Sequence, residues 1–294
     1  MKTLHKKIGI WNVLIAGLLI VLWASVFWFQ GLFGAVSWGL LKLVLPFVGV
    51  VLLLFFLIVL IIKLRRKHSI QRSLLSLLLS ALMEFPLLLT LNVIPYAYPA
   101  KPDSLSPAVT VKWPLKERTT VGWGGDTPTV NLPHVTWASE RWAYDLVMEP
   151  YNTGDPKLES YGIWNREVLA PVSGTVVAAY DDEDDIAPNT EDFQSSEGNH
   201  VYIRIEKTGT YLLLNHLKKG SVTVNVGDQV NPGDVLGRVG NSGSTSEPHL
   251  HIHHQRQDPT QTIYPIFAEG LPLYFEGIDA GPMPEKGTVV TPSR

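Results

Sequence analysis

The residues best suited to chemistry in this 294-residue chain are its histidines, because seven of the nine lie beyond residue 130. The densest group is Glu247-Pro248-His249-Leu250-His251-Ile252-His253-His254, just after Gly240-Asn241-Ser242-Gly243. On a β-strand successive side chains alternate between faces, so His249, His251 and His253 share one side while Leu250 and Ile252 point to the other, into a core. Two imidazoles at i and i+2 can divide labour, one binding a metal while the other serves the bound water. A lone His-x-His is common, however, and needs further groups before it defines a site.

Three other positions supply them. Asp145 stands between Tyr144 and Leu146-Val147 in a strand-like run, where a charge needs a partner. His134 lies eleven residues earlier, and His216 closes the apolar strand Tyr211-Leu-Leu-Leu-Asn-His. Together these offer two neutral nitrogens, a carboxylate and two spare imidazoles. A hydrolytic zinc site asks for three protein ligands and an open fourth position.

The elements that must position these groups read as β. Val172–Ala179, Val201–Ile205, Tyr211–Asn215, Val222–Val226, Val235–Val239 and Leu250–His254 are short runs separated by Gly-Asp, Pro-Gly and Asn-Ser-Gly turns. Such spacing predicts a mainly β, antiparallel domain. The acidic cluster Asp181–Asp185 lacks the ligand spacing of a calcium loop and is expected to be a solvated excursion between strands.

Several of these strings, taken in order, resemble the lysostaphin/LytM-type zinc endopeptidases. They are Ala170-Pro171-Val-Ser-Gly174-Thr-Val, Gly198-Asn199-His200-Val-Tyr-Ile203, Asn215-His216-Leu217, Val226-Gly227-Asp228, Gly233-Asp-Val-Leu-Gly237 and Pro248-His249-Leu-His251, and the likeness runs over roughly residues 110–280. The resemblance implies a LytM-like antiparallel sheet, a Zn2+ ion on His134, Asp145 and His251, and a catalytic pair in His249 and His216. It also implies hydrolysis of peptide bonds in peptidoglycan cross-links or stem peptides. One departure stands out: ten residues separate His134 from Asp145, where the family usually has three. His253 and His254 are not needed by the pattern and are expected to face solvent or stand behind the ligands.

Two rival readings use the same residues. A catalytically inactive LytM-like module would bind the wall or activate another hydrolase, but such modules typically lack ligands or catalytic histidines that are all present here. A lipoyl-type carrier would need a modifiable lysine at a hairpin tip, and Lys207, Lys218 and Lys219 lack that setting.

The chain is divided by charge. Residues 1–100 hold nine Lys/Arg against Glu84 alone, whereas residues 101–294 hold 15 Lys/Arg against 26 Asp/Glu. The acidic half argues against nucleic acid as a partner. The absence of cysteine removes disulfides and thiolate ligands. The basic half (1–96) contains three apolar runs, 8–30, 43–62 and 73–95, each about long enough for a bilayer core of roughly 30 Å. The third carries Glu84 and Pro86. Lys2, Lys6 and Lys7 precede the first run, and Lys63, Arg65, Arg66, Lys67 and Arg72 lie between the second and third, so the positive-inside rule places the N-terminus in the cytoplasm. Three crossings then leave the rest of the chain outside, in a multi-pass membrane protein with an extracytoplasmic peptidase domain. The expected order is a Pro-rich extended linker at 97–114, the metallopeptidase domain at 115–280 and a C-terminal tail at 281–294.

Overall fold

The computed structural model describes residues 9–29, 31–262 and 267–293. It divides into two compact units, Met1–Ala100 and Lys101–Arg294.

The first unit is helical. Three helices are long and apolar enough to cross a membrane: Ile10–Phe29, Leu45–Arg65 and Gln71–Thr90. Within the first, α1 (Ile10–Ala24) runs on into a π-helical turn, Ser25–Phe29. The outermost residues of the expected run 8–30 lie outside the described residues. Between the first two runs lies a 13-residue helix, α2 (Gly31–Leu43), followed by α3 (Leu45–Arg65). The third run ends earlier than its composition suggests. Helix α4 (Gln71–Glu84) is interrupted at Pro86, which has no N–H to continue the ladder, and one more turn, α5 (Leu87–Thr90), completes it. Residues 91–95 are therefore not helical.

Polar and small residues knit these helices together. Ser73, Ser76 and Ser80 form the buried stripe of α4. The Ser76 hydroxyl donates to Asn12 Oδ1 (2.6 Å). A Cβ at Gly49 of α3 would lie 3.0 Å from the Met83 Cβ and 3.1 Å from the Ser80 carbonyl, so α3 and α4 approach closely only because that side chain is missing. Glu84 packs against this same glycine and so faces a neighbouring helix.

The second unit is built on an eight-stranded sheet in the order β12-β2-β3-β10-β7-β6-β5-β8. The strands are β2 (Thr119–Trp123), β3 (Tyr144–Val147), β5 (Gly174–Tyr180), β6 (Asn199–Ile205), β7 (Tyr211–Leu217), β8 (Gln229–Val230), β10 (Leu250–Gln255) and β12 (Val289–Val290). All of its pairings are antiparallel. Two further pairs, β1 (Val109–Lys112) with β11 (Leu273–Glu276) and β4 (Glu167–Leu169) with β9 (Val235–Arg238), supply Val111, Phe275, Val168 and Leu236 to one hydrophobic core. That core takes Leu146, Ile203, Leu212, Leu214, Leu250 and Ile252 from the sheet, which leaves the alternate side chains of the same strands for the histidine face.

Two segments differ from expectation. Part of the Pro-rich linker packs: Val109, Val111 and Trp113 alternate inward and join the core, with the Trp113 Nε1–H donating to Thr119 Oγ1 (2.8 Å). The stretch read as a C-terminal tail contributes β12, which pairs Val289 and Val290 with Thr120 and Thr119.

Candidate active site

The site grows from β10. Residue 251 pairs with residue 145 of β3 on one side and residue 215 of β7 on the other, so strand register alone sets His251 beside Asp145. Asp145 Oδ1 lies 3.0 Å from His251 Nδ1 and 3.5 Å from His249 Nε2. Its Oδ2 lies 3.4 Å from His134 Nε2. One donor atom from each of His134, Asp145 and His251 lies within 4.8 Å of the others. The four histidines of the site are only 5–8% exposed, which separates them from ordinary surface imidazoles.

His134 arrives from a short helix, α6 (Pro128–Val135), that bends at Asn131 (φ −147°, ψ 39°). The Asn131 amide donates to the carbonyls of Gly125 and Ala143 (both 3.0 Å), tying the helix to the approach of β3. Its Oδ1 is thereby fixed as an acceptor for His134 Nδ1–H (2.8 Å). The long interval before Asp145 is taken up by compact turns, Trp137 N–H to His134 O and Ala143 N–H to Glu140 O. Asn131 went unnoticed in the sequence, although an Asn three residues before a His on a helix is a spacing that brings the two together.

His216 is turned into the site by its backbone. The β6–β7 register shifts between Asn199 and Val201, so two residues of β7 oppose one of β6, and His216 adopts φ +63°. A left-handed conformation costs a non-glycine residue about 1–2 kcal/mol. Its Nδ1–H donates to Ser242 O (2.9 Å). Ser242 is held in turn, its hydroxyl donating to Leu217 O (2.7 Å) and accepting from Asn199 N–H (2.9 Å). Gly198, at φ +63°, lets this loop close, because a Cβ there would meet Ser242 O at 2.3 Å. The His249 ring centroid is 4.7 Å from that of His216, and its Nδ1–H donates to Glu247 O (2.8 Å). Carbonyl oxygens only accept, so both rings carry their proton on Nδ1 and present Nε2 as a base.

The electrostatics follow from burial and proximity. Burial lowers the proton affinity of His134, but close contact with Asp145 and the charge of Glu140 together outweigh it and the pKa is raised. Burial penalises the charge on Asp145, yet the close approach of His134 and His249 holds it well below the usual carboxylate range. His216 is pushed well down by burial and then by His249 and His251, which keeps it neutral.

The donor set fits a zinc ion. With its Nδ1 proton committed to Asn131, His134 turns a lone pair toward a carboxylate oxygen, an arrangement that calls for positive charge between them. Two imidazoles and one carboxylate are a donor set that zinc accepts.

All five residues singled out in the sequence meet here. His253 and His254 do not face solvent: His253 stands behind His251, and His254 lies between Thr210 Oγ1 (2.7 Å) and Pro272 O (3.2 Å). The acidic cluster is more than a solvated excursion. Asp185 accepts the Asn241 and Lys219 N–H groups and Asp181 those of Ser221 and Val222, so these carboxylates brace the turn beside the site. A cleft of roughly 190 Å³ opens onto Asp145 and His249, lined also by Trp123, Tyr151, Glu247 and Lys286.

Several solved structures are similar to this chain. Lysostaphin in solution is 22% identical, covering 40% of this chain and 36% of its own, with a TM-score of 0.28. The catalytic domain of the antimicrobial peptidase lysostaphin from Staphylococcus simulans is 19% identical, covering 52% of this chain and 88% of that one, with a TM-score of 0.31. A zinc containing peptidase from Vibrio cholerae is 16% identical, covering 54% and 42%, with a TM-score of 0.32. The chain thus spans about a third of the lysostaphin chain. No curated protein matches it. Over residues 162–262, which include His216, His249 and His251 but begin after His134 and Asp145, the chain matches the model of Peptidase family M23.

Proposed function

We propose that this chain is a membrane-anchored zinc endopeptidase that hydrolyses peptide bonds of peptidoglycan on the outer side of the cytoplasmic membrane. The observation that carries the reading is the convergence of His134, Asp145 and His251 within 4.8 Å, with two further imidazoles beside them. These three residues would hold the metal. When bound, zinc supplies Lewis acidity, polarising a scissile carbonyl and making water easier to deprotonate.

The chain's own residues do the rest. His249 and His216 each keep a proton on Nδ1 and offer Nε2, so either accepts a proton from water as general base. The ring that gains it becomes a donor able to hydrogen-bond a developing oxyanion or protonate a leaving amine. Neither ring donates through Nε2 before that transfer, so the two roles follow one another. Asp145, near His249 Nε2 as well as the ligand nitrogens, favours the resulting imidazolium. The cleft lined by Trp123, Tyr151 and Glu247 gives an extended peptide access to this face.

The three apolar helices support anchoring in a lipid bilayer. The basic stretch from Lys63 to Arg72, read with the positive-inside rule, supports an external peptidase domain.

The test is to incubate the purified full-length chain, in detergent, with purified wall material, with and without chelator. New amino termini are expected only without chelator. Equimolar zinc with no new termini in either sample would instead favour the inactive binding or activating module.

A further inference from the structure

His251 is engaged at both ring nitrogens. Nδ1 faces Asp145 Oδ1 at 3.0 Å, and Nε2 faces His253 Nδ1 at 2.9 Å. His253 Nε2 lies in turn 3.3 Å from Gln255 Oε1. All three side chains project from the same face of β10, at alternate positions, and all are buried.

The far end of this row sets its direction. Gln255 Nε2 donates to the Gln257 carbonyl (2.8 Å), so Gln255 Oε1 is left as an acceptor. The nitrogen facing it, His253 Nε2, must then carry the proton. No carboxylate lies within ion-pair distance of His253 among the described residues, so the buried ring is neutral and its Nδ1 is a lone pair. That lone pair accepts the His251 Nε2–H, and His251 Nδ1 is then a lone pair facing the Asp145 carboxylate, the arrangement that His134 Nε2 also makes and that a cation between them would satisfy.

We propose that His253 and Gln255 are positioning residues that lock His251 in the Nε2–H tautomer and so present its Nδ1 to the cation. The inference rests on the zinc site proposed above. Asn131 does the reverse for His134, taking the Nδ1 proton and presenting Nε2. The two ligand rings are thus oriented by separate devices through opposite nitrogens. Outer partners of this kind are typically worth 10–100-fold in metal affinity.

The test measures zinc affinity of the full-length chain in detergent, by competition with a chromophoric chelator. His253→Phe removes the acceptor and is expected to weaken binding by about 10–100-fold. His253→Asn places a carbonyl oxygen near the position of the lost Nδ1 and is expected to bind close to wild type. Gln255→Leu should weaken binding while Gln255→Glu, which keeps the acceptor, should not. A merely structural role predicts similar losses for Asn and Phe at position 253, and that result, or no loss in either, would overturn the proposal. If His253→Phe does not fold, the two substitutions at position 255 decide the matter by the same contrast. A wild-type chain that takes up no zinc would overturn the proposed function itself, whereas zinc-competent wild type with indifferent variants overturns only the relay.

Discussion

The two sides of the site are positioned by different means. Asp145 and His251 are placed by strand register and His249 stands just before β10, so pairing of β3 with β10 brings them together without a dedicated device. His134 instead sits on a bent, proline-interrupted turn of helix whose place depends on one amide, Asn131, bridging two carbonyls and an imidazole. Register is enforced by a whole sheet and its core. The helical side hangs on a few hydrogen bonds, so it should be the easier to loosen.

The largest effects should fall on the strand side. His251→Ala removes a ligand and is expected to abolish zinc uptake and hydrolysis together, read by metal analysis and release of amino termini from wall material; activity in a metal-free variant would break the assignment. His249→Ala should keep one equivalent of zinc while lowering hydrolysis by roughly 10²–10⁴-fold, the usual weight of a general acid–base group. Co-loss of metal would move His249 into the ligand set. On the helical side, Asn131→Leu should weaken zinc binding by about 10–100-fold, with Asn131→Asp, which keeps an acceptor for His134, less affected. If both bind like wild type, the helix is held by something other than its amide.

The smallest effect concerns pH. Buried His254 has its pKa lowered to about 4 by burial. Its unfolded value is near 6.5, so the unfolded chain binds the proton first and stability should fall as pH drops from 6.5 toward 4. His254→Gln should flatten that part of the unfolding profile against wild type, and an unchanged slope would count against His254 as a source of acid sensitivity.

How much of this was readable in the sequence varies from element to element. The alternation Leu250-His-Ile-His and the apolar run ending at His216 fixed the strands and the faces of their side chains, because a period of two leaves little choice. Asp145 stood out as a charge in an apolar strand. Asn131 did not, since an isolated Asn beside Pro133 resembles a turn residue until its amide partners are seen. The helix Gly31–Leu43 escaped notice because its three glycines weaken helix propensity. Pro-rich composition around residues 97–114 masked the alternating Val109-Thr-Val-Lys-Trp113, whose inward residues are core. His251 and His253 were visible as neighbours on one face, but Gln255 was not singled out, and the direction of the row depends on the Gln257 carbonyl, a backbone atom no side-chain pattern reveals.

The extra residue in β7 solves a parity problem. Asn215, His216 and Leu217 would ordinarily point in strict alternation. The kink instead sends the imidazole toward its neighbouring rings and still returns Leu217 to the interior. With Leu214 also in the core, straightening that segment would turn both the wrong way, His216 inward and Leu217 outward. A Val or Ile at position 216 resists positive φ and would press for such straightening, whereas Asn or Gly tolerates the bend and would remove the imidazole while sparing the sheet.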